Sequence, residues 1–490
     1  MPFGAPGTGL DFGSIRQEPI RGAVVQLLDA SGGVLKTSET NASGDYSFTS
    51  DANTEVRVRV RAQMLRTTNA PIDTEVIDNT NGNAPYVLDG SLASSGTANQ
   101  RRNLNAGSGW GGSSYTGTRA AAPFAILDTI YEATQVFIAV DPNIVFPELD
   151  VGWSVNNRSA SGAIARGEIT TSSYLTVNGV PTILILGDFA MDSDEYDEHV
   201  VSHEWGHYFE NTLSRADSIG GPHSNSERLD ARVAFGEGWG NALSGIVSGR
   251  VYRDSSRNGS RDFGIDMERN DFANEGFYSS GSVQSILYDI MDGTADGSDT
   301  ISDGLGPIYR AFTSQTYKDV PEVTSIFAFS NALRSQSGID AAALDALLND
   351  QRIIGRGPAG AGETNNGGIT ERLPVHRTLT IGGPAQSFCS VNDAGTYNRL
   401  GNRAFFRFSL PAAQSVTLTM TRTSGPASAD PYFDVLRRGR YLATPDNTAG
   451  SIESQTLNLP AGEYLVDAFD NINTDIDGAG HDSCFTLQAR

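Results

Sequence analysis

Three of the six histidines, His199, His203 and His207, fall within nine residues, and two of them frame His203-Glu204-Trp205-Gly206-His207. On a helix, positions i and i+4 lie on one face about a turn apart. Both imidazoles can therefore present a nitrogen to one Zn²⁺ at about 2.0–2.1 Å. Glu204, beside the first histidine, can reach a water on that ion without ligating it. The chemistry such a set supplies is metal-assisted hydrolysis, in which a Lewis acid lowers the pKa of water and a carboxylate takes its proton.

A tetrahedral catalytic ion needs a third protein ligand and one open corner. The tenth residue after His203 is Leu213, which cannot serve, so a third histidine at that spacing is excluded. Asp217, His223, Glu227 and Asp230 stand in a turn-rich stretch and remain candidates. Glu237 is preferred, because Ala234-Phe235-Gly236-Glu237-Gly238-Trp239-Gly240-Asn241 opens a second helical pattern. There Glu237 and Asn241 are i and i+4, and both can face the metal. Glu210, one turn past His207, fits either a supporting role behind the ligands or an exposed helix acid; His199 reads as a solvated or capping histidine.

Two further sets of residues bear on chemistry. Asp289, Asp292, Asp296, Asp299 and Asp303 punctuate a Gly/Ser/Thr loop, and hard carboxylate oxygens suit Ca²⁺, though solvated turns of an acidic protein have the same composition. Asp470–Asp482 in the tail is a similar case. The run from Asp254 to Gly259 begins like an EF-hand loop, but its twelfth position is Ile265 where a bidentate Glu is needed, so that assignment is rejected. Cys389 and Cys484 are the only cysteines. They fit one disulfide closing a C-terminal module, which implies an oxidising compartment, or two buried thiols.

The elements that must position these residues are written in the hydrophobic pattern. From Arg21 to Ala62 the period is two, with Val56, Val58 and Val60 interleaved by arginines, as in a small antiparallel sandwich. Pro123 opens a helical face of Phe124, Leu127, Ile130, Tyr131 and Phe137. Leu149–Val155 alternates as a strand and Thr182–Leu186 is a buried run. The acidic string Asp192–Glu198 precedes the histidine helix, where negative charge suits the N-terminal dipole. Helical patterns return over 236–247, 282–291, 322–333 and 340–348, and strands from Arg377 onward. The expected division is 1–115, a β-sandwich with its connection; 116–354, the unit with the histidines; 355–374, a Gly-rich linker; and 375–490, a second β-sandwich.

Composition narrows the classes. The 490 residues carry 58 acidic against 35 basic side chains, a formal charge of −23, which disfavours binding to phosphate backbones. No stretch of 18 or more apolar residues exists, so no membrane span is expected. The Met1–Gly9 start has neither a basic nor an apolar leader region. Neither a Gly-x-Ser-x-Gly elbow nor a phosphate-binding glycine loop supports nucleophilic or nucleotide chemistry.

The pair of motifs resembles the gluzincin clan of zinc metallopeptidases, to which thermolysin belongs. Gly236-Glu237-Gly238-Trp239-Gly240 is similar to the corresponding helix of fungalysin-type peptidases, and His203–Phe209 to uncharacterised secreted bacterial proteins. Gly22–Phe48 looks like carboxypeptidase-regulatory-like modules, and the tail like C-terminal sandwich modules of secreted bacterial peptidases. The resemblance implies an α+β zincin-like catalytic domain flanked by N- and C-terminal all-β sandwiches. It implies a secreted, extracellular, periplasmic or surface endopeptidase of protein or peptide substrates, monomeric, its leader absent from this chain. It makes His203, His207 and Glu237 ligands of one zinc, Glu204 the general base, Tyr278 the first choice for stabilising the oxyanion, with Tyr288 and His223 after it. Thermolysin-like enzymes carry Asp where this chain has Asn241, behind a ligand histidine. The alternative function is a catalytically weak zincin scaffold acting as a protein- or glycan-binding adhesion module.

Overall fold

Alternation becomes strands where the sequence expects it. In Glu55–Arg61 the three valines are buried and the arginines between them are not; Arg59 donates to Asp89 across the sheet at 2.6 and 2.8 Å. The computed structural model describes residues 1–293, 300–445 and 450–490. They form two compact units, Met1–Thr212 with Leu243–Asp266, and Leu213–Ala242 with Met267–Arg490. Both contain sheets, and the chain as a whole is mixed α and β.

In the first unit, Val24–Asp29 pairs antiparallel with Val34–Glu39 and with Glu55–Arg61. A second sheet runs Ser173–Val177, Val180–Ile185, Leu149–Trp153, Ile72–Asp78, Gln63–Arg66. Its centre is parallel: Leu149–Trp153 lies between Ile72–Asp78 and Val180–Ile185. The division expected at 115 therefore runs through a single sheet, so residues 1–115 do not close on themselves as a separate sandwich. Helix α1 (Ala122–Val140) begins on Pro123 and buries Phe124, Leu127, Ile130 and Phe137. It alone among the described residues is long and apolar enough to cross a membrane, yet half of it is buried within the fold, as in a core helix. Helix α2 (Glu198–Leu213) follows, then α3 (Ala231–Ser248). A small sheet joins Gly187–Asp188, Asp192–Ser193, Val251–Ser256 and Arg261–Asp266.

The second unit holds α4 (Ser280–Met291), α5 (Leu305–Thr313), α6 (Gln315–Lys318), α7 (Ile326–Arg334) and α8 (Ala341–Asp350). Its aromatic core gathers Phe235 and Trp239 from α3 with Phe312, Tyr317 and Phe329. From His376 on, a five-stranded and a four-stranded sheet enclose one core that includes Phe388, Phe406, Met420, Phe433, Tyr464 and Phe485, a β-sandwich as expected. Cys389 and Cys484 face each other on adjacent antiparallel strands and form the disulfide. Residues 355–374, expected as a linker, are pinned: the buried Glu363 carboxylate accepts from the backbone of Ile354, Gly355, Thr364 and Asn365.

Candidate metal centre

Helix α2 is oriented by its apolar side. Trp205 and Phe209 lie against Phe137 of α1, with ring centroids 5.3 and 4.3 Å away, and Val201 and Tyr208 are buried beside them. At 100° per residue, His203 and His207 then stand on roughly the opposite side of the helix from Trp205. Their Nε2 atoms approach to 3.0 Å. Two donors on a tetrahedral ion at about 2.0–2.1 Å need a separation of about 3.3 Å, so the pair is close to a chelating geometry. Glu204 is buried on the same helix, and its Oε2 accepts from the backbone N–H of Tyr174 at 2.8 Å.

On α3, Glu237 is buried and completes the set: His203, His207 and Glu237 each offer a ligand atom, all within 4.8 Å of one another. The glycine after it permits close packing. A Cβ on Gly238 would lie 2.4 Å from Val283 Cβ and 2.9 Å from the Ser280 carbonyl oxygen of α4. Asn241 Nδ2 donates to Gln284 Oε1 at 3.0 Å. His223 reaches Glu237 Oε2 with its Nε2 at 2.9 Å. The remaining third-ligand candidates are engaged elsewhere. Asp217 bonds Arg215 and Thr324, Glu227 bonds Arg399, and Asp230 bonds Arg232.

Two imidazoles and one carboxylate are a donor set that would suit a zinc ion. No protein-family model matches the sequence, and no curated protein matches it. Among solved structures, the pre-peptidase C-terminal domain of a collagenase from Bacillus anthracis is similar over 24% of this chain and 94% of that one, at 10% identity and a TM-score of 0.19. CorA, a surface-associated copper-binding protein of Methylomicrobium album BG8, covers 24% of this chain and 96% of its own at 9% identity and 0.18. PliG of Aeromonas hydrophila, a periplasmic inhibitor of g-type lysozyme, covers 24% and 99% at 13% identity and 0.15. Scores this low carry neither fold nor function across.

Other expected residues are placed differently. The Tyr278 hydroxyl lies 2.9 Å from both the Glu275 carbonyl and Asn365 Oδ1, so its single proton is committed away from the ligand set. His223 is the expected oxyanion candidate that the fold brings to Glu237. His199 is buried rather than solvated and contacts the Gly249 carbonyl at 2.8 Å; burial pulls its pKa down to about 4. Glu210 is 2% exposed, so it is not a surface helix acid. Of the expected calcium residues, Asp289 lies in the last turn of α4 and Asp292 is its C-cap, and neither belongs to a three-ligand group among the described residues. Asp296 and Asp299 lie outside the described residues. Asp470 in the tail is spent on caps to Asp430 and Ile472 and on Ser483.

The sequence reading missed a second group. Asp192, Asp194 and Asp254 each offer a carboxylate oxygen within 4.8 Å of the others. Only Glu198 of the acidic string enters α2; the preceding acids turn inward instead of serving the helix dipole. The available signal was the density of acids in a string containing the buried Tyr196, since a solvated helix start has no need of an aromatic.

Proposed function

We propose that the chain is a zinc-dependent endopeptidase acting on protein or peptide substrates outside the cytoplasm. The observation that carries the reading is the convergence of His203, His207 and Glu237 with Glu204 one residue along the helix from the first ligand. When bound there, zinc supplies Lewis acidity toward water and a scissile carbonyl. Glu204 accepts from the Tyr174 N–H; its carboxylate takes a proton from water and returns it to the departing amine. Asn241, bonded to Gln284, stands where thermolysin-like enzymes carry an Asp and adds no negative charge, which favours weaker metal binding. His223, an expected oxyanion candidate, has both ring nitrogens engaged, Nε2 with Glu237 Oε2 at 2.9 Å and Nδ1 with the Gly221 carbonyl at 3.0 Å. The disulfide between Cys389 and Cys484 is consistent with an extracellular setting.

The test uses the full chain, metal analysis and a peptide-library digest with and without 1,10-phenanthroline. Glu204→Gln is expected to keep one zinc per chain and lose cleavage by about 10²–10⁴-fold. Cleavage that survives Glu204→Gln removes the proposed base. A wild-type chain that holds zinc and cleaves nothing in the library favours the scaffold function, in which the sandwich binds protein or glycan.

A further inference from the structure

Asp194 is 3% exposed. Its Oδ2 accepts from the Ser172 hydroxyl, whose oxygen is itself occupied by the Leu186 N–H, and its Oδ1 has no partner. Asp192 Oδ1 likewise has none. The fully buried Asp197 beside them accepts the Ser255 N–H at 2.6 Å and leaves Oδ1 unpartnered. Among the described residues, no lysine, arginine or histidine forms an ion pair with Asp192, Asp194, Asp197 or Asp254; the charges that act most on Asp194 are Asp254, Asp192 and Asp197. Burial, with that repulsion, pushes Asp194 well above the ordinary carboxylate range. Buried carboxylates of one sign need either a proton or a cation between them. An acid network without a basic partner, open to solvent through the half-exposed Asp192 and Asp254, favours the cation.

We infer that Asp192, Asp194 and Asp254 form a second metal site, for a hard divalent cation with calcium as its occupant, which ties the segment entering α2 to the Val251–Ser256 strand. All the donors are carboxylate oxygens, which suit Ca²⁺ and not a soft or nitrogen-preferring ion. The backbone is already drawn together there: Asp192 pairs with Ser256, Arg257 N–H donates to the Met191 carbonyl at 2.8 Å, and Asn258 N–H to that of Phe189 at 2.9 Å. The ion replaces repulsion with attraction at the point where two segments distant in sequence meet. This inference stands apart from the zinc reading and survives its failure.

The experiment uses the chain as purified, dialysed free of alkaline-earth ions, titrated with CaCl₂ by calorimetry and thermal melting. One Ca²⁺ per chain and a rise in Tm of about 3 °C or more at millimolar calcium are expected, with the zinc content unchanged. Asp194→Asn and Asp254→Asn should abolish the calcium-dependent rise. In calcium-free buffer Asp254→Asn should melt no lower than wild type, because it removes a like charge. The inference is overturned if wild type shows neither heat nor a Tm shift up to about 10 mM calcium, which would leave a shared proton as the explanation. It is equally overturned if either variant keeps the shift.

Discussion

Replacing Gly238 with alanine reverses the sign that a helix substitution normally carries. Within α3, exchanging Gly for Ala at an open position gains about 0.8–1 kcal/mol from backbone entropy and propensity. At 238 the new methyl would sit 2.4 Å from Val283 Cβ, 2.6 Å from its Cγ1 and 2.9 Å from the Ser280 carbonyl oxygen. Ordinary carbon contacts lie at about 3.5–4.0 Å, so α3 and α4 must separate by about 1 Å or more. Overpacking of this kind costs typically 1–3 kcal/mol. The backbone oxygen of Ser280 cannot rotate aside as a side chain can, which places the cost at the upper end. Net destabilisation of about 1–2 kcal/mol is expected by urea unfolding, together with a fall in bound zinc, because Glu237 is the adjacent residue. Combining Gly238→Ala with Val283→Gly removes the nearest atoms, and the double variant should be more stable than the sum of the two single costs by about 1 kcal/mol. A Gly238→Ala protein as stable as wild type, with full zinc occupancy, refutes the close approach and the explanation it gives for a glycine beside the third ligand.

Two other outcomes follow from the second unit. Changing both Cys389 and Cys484 to serine opens a loop with a sequence separation of 95 and should cost about 4–5 kcal/mol, read by calorimetry as a lower Tm that reductant no longer affects; an unchanged Tm would show that the bond contributes nothing. Burial and the facing Asp467 push Asp434 up to about 7, against the pull of Arg403 and Arg232. The folded state thus holds this proton more tightly than the unfolded chain, whose Asp titrates near about 3.9. Stability from this group is greatest below about pH 4 and declines as pH rises to about 7. Asp434→Asn should therefore gain about 1–2 kcal/mol at pH 8, discounted for partial solvent screening, and little at pH 4.5; an equal offset at both pH values contradicts the assignment.

The candidate ligand pair was legible because chelation would impose its own spacing: i and i+4 on α2 hold whatever the rest of the fold does. Glu237 was legible as a candidate for a related reason, since it and Asn241 are i and i+4 in a second helical pattern. Residues that act through partners distant in the chain were not. Alternation in Ile72–Asp78 marks a strand but not its neighbour, and the parallel pairing with Leu149–Trp153 has no local signature. Asp254 meets Asp192 and Asp194 through a strand pairing across some sixty intervening positions, while Tyr278 had the right residue type and surroundings but a hydroxyl already claimed by Glu275 and Asn365.

That parallel pairing also bears on biosynthesis. While the chain leaves the ribosome, Ile72–Asp78 has only its antiparallel neighbours until residues 149–153 have been translated, so the early segment must wait with an unsatisfied edge. A proteolytic cut in the Ser/Gly/Asn-rich stretch after Ser91 would not release a prosegment: the severed piece would stay threaded into the sheet, and pulling it away would strip Leu149–Trp153 of one of its two partners.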